Sequence, residues 1–131
     1  MSVKAAQSKG KVYFACLGHL KLVPKENNYI FLITMSQRKI EGIRPLKGLA
    51  PSPNLFNKYL RDWKNSDVDW FPIYKEQYLE ELNYSLINSL KAGLDSGKNV
   101  TLLCYCGDES SCHRSISKEI FTEMNYETYS Y

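Results

Sequence analysis

Three short, almost uninterrupted apolar runs constrain the fold of this chain more than any other feature. They are Val12–Leu17, Tyr29–Met35 and Val100–Cys106. A strand covered on one face alternates apolar and polar residues, whereas a strand covered on both faces is apolar throughout. The runs therefore predict an α/β fold: a single three-layer domain with a small, mostly parallel sheet flanked by helices. The Val12 and Val100 strands are expected to be central in that sheet.

Two segments between the second and third runs have helical periodicity. Ser52 is suited to cap the first helix, with a proline at the first helical position and apolar residues recurring at three-to-four spacing up to Trp63. A second apolar series of the same spacing runs over Trp70–Leu94, and Gly97 suits the helix end. The sequence predicts one long helix here, the longest element of the fold.

The last part of the chain predicts one more helix and a terminal strand. Ser110 or Ser111 can cap a helix whose inward face includes Ile116 and Ile120. The Thr128–Tyr131 segment predicts a short final strand. A length of 131 residues suits one compact domain, so residues 1–131 are assigned to a single domain.

Composition and the N-terminus indicate a cytoplasmic protein. The longest apolar runs are about six residues, whereas a membrane-spanning helix needs about 20. The basic Met1–Lys11 segment is not followed by the apolar stretch of a secretory signal. We therefore expect no membrane contact, a cytoplasmic location and four reduced cysteines.

Charge is distributed unevenly along the chain. Residues 1–66 hold twelve Lys or Arg against three acidic residues, while residues 67–131 hold five against eleven. One interpretation is a solvated basic face and a solvated acidic face. Another interpretation is an anion site to which the basic half of the chain attracts its ligand. A third is a binding module for nucleic acid or protein that uses a basic stripe. That basic stripe would consist of Lys39, Arg44, Lys47, Lys58, Arg61 and Lys64.

The residues that follow the predicted strands are the candidates for chemistry. Open parallel sheets bind ligands outside the carboxyl ends of their strands. His19 follows the first strand, Arg38 and Arg44 follow the second, and the segment 106–114 follows the third. We expect these groups to meet at one edge of the sheet.

Several separated motifs resemble those of the domain of unknown function 488 (DUF488) family, in particular its small stand-alone members. The resemblance covers about residues 11–122, and the family often has an acidic residue where this chain has Cys106. It implies an α/β fold and a site at the Cys-His-Arg motif, and it implies no particular reaction. The motifs are Arg38, Leu49-Ala-Pro-Ser52, the Tyr-rich segment 74–82, Leu102-Leu-Cys-Tyr105 and Cys112-His-Arg114.

Cys112 is a candidate nucleophile at the start of the last predicted helix. A helix N-terminus and neighbouring cationic groups favour the thiolate form. His113 or His19 would be the base. The alternative is that Cys112 fills an apolar corner, since cysteine is among the most buried residue types.

Arginines at the same edge indicate an anion site. The arginine fork matches phosphate and carboxylate, and a helix N-terminus donates N–H groups to the same anion. We predict a cleft that binds a small anionic molecule, and our leading hypothesis is a small-molecule enzyme. The predicted ligand-binding residues are Arg114, Arg38, Arg44, Ser110, Ser111 and Cys106.

The cysteines allow two further hypotheses. No cofactor is predicted, but zinc is an alternative, with Cys104, Cys106, Cys112 and His19 as the ligands. Cys106 and Cys112 are close enough in sequence to form a transient disulfide. We expect no stoichiometric zinc, and we expect Cys112 to react with a thiol reagent faster than Cys16 or Cys104, which lie within strands.

Overall fold

A parallel sheet forms the centre of the domain. The computed structural model describes residues 9–34, 40–105 and 112–131. Within these residues five strands form one sheet in the spatial order β3-β2-β4-β1-β5, and every neighbouring pair is parallel. The strands are β1 (Val12–Cys16), β2 (Asn28–Leu32), β3 (Arg44–Pro45), β4 (Asn99–Cys104) and β5 (Thr128–Ser130).

Helices connect the later strands. These helices are α1 (Pro53–Lys58), α2 (Phe71–Glu81), α3 (Tyr84–Asp95) and α4 (His113–Glu123). A π-helical turn, Tyr59–Trp63, extends α1, and short 3-10 turns occur at Leu17–Leu22 and Lys47–Leu49. The α/β class and the parallel sheet are as predicted.

The two central strands are buried on both faces. Strand β4 lies between β1 and β2, and Leu102 is in register with Phe14 on one side and Phe31 on the other. Phe14 and Leu102 belong to the larger core cluster, whereas their neighbours Ala15 and Leu103 belong to the smaller cluster on the opposite face. Burial on both faces explains why these strands are almost continuously apolar.

The helices are distributed unevenly over the two faces. The buried apolar residues of α1 to α4 all belong to the core cluster that contains Phe14, while the opposite face is covered in part by the Leu17–Leu22 turn, which packs Leu17 and Leu20 against it. Crossovers between parallel strands are right-handed, so the direction in which a connection runs across the sheet determines which face it covers. The connections β3 to β4 and β4 to β5 run in one direction, and the connection β1 to β2 runs in the other. Among the described residues, the face opposite α1 to α4 is therefore covered by a 3-10 turn, whereas the sequence predicted helices on both faces.

The predicted long helix over Trp70–Leu94 is wrong, because the chain breaks it into α2 and α3. Leu82 takes an extended conformation with ψ 134°. The Asn83 side chain then caps α3 by accepting hydrogen bonds from the backbone N–H groups of Ser85 (3.0 Å) and Leu86 (3.4 Å). The apolar series continues across the break because both helices bury their apolar sides in the same core.

The prediction that Ser110 or Ser111 caps the last helix is wrong, because the N-cap residue of α4 is Cys112. Several other predicted boundaries agree with the structure. Ser52 caps α1 by accepting from the Leu55 N–H at 3.1 Å. Gly97, after α3, has φ +97°, a conformation that disfavours residues with a side chain. The final strand β5 forms and pairs with β1. The first apolar run is shorter as a strand than predicted, because Leu17 begins the 3-10 turn.

Candidate functional site

The first turn of α4 is attached to the carboxyl edge of the sheet by two contacts. The Cys112 Sγ atom lies 3.1 Å from the Sγ of Cys104, the last residue of β4. His113 Nε2 lies 2.5 Å from the carbonyl oxygen of Ile33, the residue after β2. Cys112 is the N-cap residue of α4, so the helix begins directly outside the ends of β4 and β2.

This edge is also where the sheet topology reverses. The chain leaves β2 towards β3 at one side of the sheet and leaves β4 towards β5 at the other side. In open parallel sheets such a switch point leaves a crevice outside the carboxyl ends of the two strands. The Cys112-His113-Arg114 sequence therefore lies where ligands bind in sheets of this kind.

The hydrogen bonds of His113 determine which ring nitrogen can accept a proton. The Ile33 carbonyl oxygen can only accept, so His113 Nε2 carries the proton and donates. In the neutral imidazole Nδ1 is then an acceptor, and it lies 3.6 Å from Cys112 Sγ. Cys112 and His113 are thus arranged so that the thiol can donate its proton to Nδ1.

The aromatic ring of Tyr78, in α2, packs beside the imidazole ring of His113. The centroid of its ring lies 5.9 Å from that of His113. Its hydroxyl donates to the Leu49 carbonyl oxygen at 2.5 Å and lies 3.4 Å from Ser117 Oγ. Burial raises the pKa of Tyr78, so the phenol stays protonated at neutral pH. Sequence reasoning did not assign Tyr78 to the site, because its spacing in an apolar series is that of any core residue.

Arg114 is the most unusual side chain at this edge. It lies in the first turn of α4 and is 3% exposed. Its Nε and Nη1 atoms are enclosed, and neither has a hydrogen-bond partner among the described residues. A buried guanidinium normally has its N–H groups paired, so two unsatisfied nitrogens require an explanation.

The remaining predicted residues have different surroundings. His19 is exposed on the turn that follows β1. Arg44 is exposed on β3, and its guanidinium lies 5.8 Å from the centroid of the Tyr29 ring. In the part of the chain that the structure describes, no hydrogen bond joins His19 or Arg44 to Cys112. Four other predicted residues lie outside the described residues, namely Arg38, Cys106, Ser110 and Ser111, and their roles stay predictions.

The zinc hypothesis is also left as a prediction. Cys104 and Cys112 are adjacent, but a third ligand from the predicted set, Cys106, lies outside the described residues. Within residues 9–34, 40–105 and 112–131, no three His, Cys, Asp or Glu side chains are grouped closely enough to hold a metal ion.

Over the same residues, no helix combines the length and the apolar character needed to cross a membrane.

Some side chains of the predicted basic stripe have local partners. Arg61 forms an ion pair with Asp62, with Nε and Oδ1 3.0 Å apart. The Lys58 ammonium lies 5.2 Å from the centroid of the Trp63 ring. Lys39 lies outside the described residues. Some of the cationic groups of the basic stripe therefore already interact with side chains of the same chain.

The parallel sheet and its helices define this protein as a small α/β domain, and its candidate site lies at the topological switch point. The family model described as the active DUF488-N3 subclade (DUF488-N3a) matches residues 19–125. The chain therefore belongs to the DUF488 family, as the resemblance predicted. The matched region contains the complete Cys112-His113-Arg114 sequence. No curated protein and no solved structure matches the chain.

Proposed function

We propose that the N-terminal turn of α4 binds a small anion, the phosphate or carboxylate group of a small molecule, and that Arg114 is its main ligand. The observation that carries this proposal is the enclosed Arg114 side chain, whose Nε and Nη1 atoms have no partner among the described residues. Both nitrogens are donors, and an oxyanion is the acceptor that suits them.

The energetics of burial favour an anion at this position. A buried charge without a partner costs several kcal/mol, after relaxation of the surroundings. An oxyanion that accepts charge-assisted hydrogen bonds from the guanidinium offsets this cost. The start of α4 adds the positive end of an eleven-residue helix, which stabilises the same negative charge.

A catalytic role is supported by the neighbouring cysteine and histidine. Transfer of the Cys112 thiol proton to His113 Nδ1, 3.6 Å away, would give a thiolate nucleophile beside the bound anion. The matched subclade is described as active. We therefore propose a small-molecule enzyme in which Arg114 binds an anionic group, Cys112 is the nucleophile and His113 is the base.

Titration calorimetry with inorganic phosphate tests the binding step. We expect the wild-type protein to bind phosphate and the Arg114→Met variant to show no measurable binding. The Arg61→Met variant is a matched control, because Arg61 is an exposed arginine paired with Asp62, and it should bind as the wild type does. Equal binding by the wild type and the Arg114→Met variant would overturn the proposal.

The same variants distinguish the anion site from the basic stripe. RNA retention that survives above about 100 mM salt and is lost in Arg61→Met, but not in Arg114→Met, would indicate a nucleic-acid interface instead. We expect any RNA retention to be weak and equal in the two variants.

A further inference from the structure

Cys104 and Cys112 form a pair of thiols that the anion site does not explain. Their sulfur atoms are 3.1 Å apart. Both side chains are buried, at 0% and 1% exposure, and the structure holds both as thiols. One belongs to the end of a central strand and the other to the N-cap of α4, so two rigid elements hold the sulfurs in contact.

We propose that Cys104 and Cys112 are a redox-active pair that a two-electron oxidant converts into a disulfide. A disulfide requires sulfurs that can approach to about 2 Å, and here that takes a movement of about 1 Å at the start of α4. The proposal concerns a modification site and does not depend on anion binding by Arg114.

The surroundings indicate which cysteine reacts first. Cys112 lies at a helix N-terminus, which favours its thiolate, and His113 Nδ1 is 3.6 Å from its sulfur and can accept the proton. Cys104 lies inside the sheet, against the Cys112 sulfur. Cys112 is therefore the attacking cysteine, and Cys104 is the cysteine that resolves the intermediate.

A small peroxide such as hydrogen peroxide is a sufficient oxidant. The Cys112 thiolate attacks one peroxide oxygen, the O–O bond breaks, and the leaving hydroxide takes a proton to become water. The product is a sulfenic acid on Cys112. The Cys104 sulfur then attacks the Cys112 sulfur, and the S–O bond breaks. The leaving oxygen takes the Cys104 proton and departs as a second water. Two thiols lose two electrons, and one peroxide is reduced to two waters.

The sulfur contact in the structure joins Cys104 to Cys112, whereas the pair that sequence spacing suggested includes Cys106, which lies outside the described residues and stays a prediction. Five residues separate Cys106 from Cys112, and seven separate Cys104 from Cys112. Spacing alone favours neither pair, because loop-closure entropy changes slowly with length. The contact between Cys104 and Cys112 is what makes this pair specific in the folded protein.

The test uses a protein in which serine replaces Cys16 and Cys106, so that Cys104 and Cys112 remain in their native positions. We expect one equivalent of hydrogen peroxide to remove both thiols, as measured by alkylation under denaturing conditions and intact mass. Dithiothreitol should restore both. Two alkylated thiols after oxidation, or a product that carries added oxygen in place of a disulfide, would overturn the proposal.

Single variants separate the two pairs in the otherwise wild-type chain. All the cysteines from 104 to 112 lie in one tryptic peptide, so variants are needed to assign the bond. We expect Cys106→Ser to lose two thiols on oxidation and Cys104→Ala to lose none, with circular dichroism confirming that both variants fold. A disulfide formed by the folded Cys104→Ala variant would show that Cys106 is the partner of Cys112.

Discussion

Replacement of Arg114 by methionine should make the ligand-free protein more stable. Methionine keeps most of the length of the side chain and removes the buried, unpaired Nε and Nη1 donors. Replacing a buried ion pair by apolar side chains is often neutral or stabilising, by up to about 4 kcal/mol, and for this single unpaired guanidinium we expect a gain of about 1–2 kcal/mol. For 131 residues the unfolding entropy is about 0.28 kcal/mol/K, so this gain raises Tm by about 4–7 °C.

Differential scanning calorimetry in a buffer of low anion content measures this shift. Arg61→Met, the exposed control, should change Tm by much less. Addition of phosphate at about ten times its Kd should stabilise the wild type by about 1.4 kcal/mol, or about 5 °C, and should leave Arg114→Met unchanged. A Tm for Arg114→Met well below that of the wild type in the low-anion buffer would refute the reasoning, because it would mean that protein groups satisfy the guanidinium.

Three further predictions concern the elements around the site. Ser52→Ala removes the cap of α1 and should lower the free energy of unfolding in urea by about 1 kcal/mol. Tyr78→Phe leaves the buried Leu49 carbonyl without its donor and should cost about 1–3 kcal/mol in the same measurement. Hydrogen bonds from Tyr126 and then from Lys91 hold the pKa of Asp95 below its ordinary 3.8, so its stabilisation is present above that pH and is lost on acidification. Asp95→Asn should therefore show a smaller fall in Tm than the wild type below about pH 4; an equal fall would contradict this assignment.

Much of the fold can be predicted because its central strands have a simple composition. Burial on both faces favours nearly continuous apolar sequence in β1 and β4, and Ser52 and Gly97 mark helix ends through their local chemistry. The break at Asn83 could not be predicted from periodicity, since the apolar spacing on its two sides is continuous. The signal that could have revealed it is Asn83 itself, because asparagine is one of the preferred N-cap residues.

The candidate site could be predicted only in part. The position of Cys112, His113 and Arg114 after the third apolar run was enough to place them at the carboxyl edge. The partners of these residues were not predictable. A backbone carbonyl, that of Ile33, holds His113, and backbone acceptors have no sequence signature. The sequence assigned Cys104 to the core, and its contact with Cys112 depends on how the chain returns to the start of α4.

Diffraction from crystals soaked in tungstate tests the central claim most directly. Tungstate is a tetrahedral oxyanion like phosphate, and its metal gives a strong anomalous signal. The anion-site proposal predicts a tungsten peak at the start of α4, with a tungstate oxygen about 2.7–3.2 Å from Arg114 Nε or Nη1. A map without a peak at α4, in which protein groups pair both of these nitrogens, would contradict the proposal.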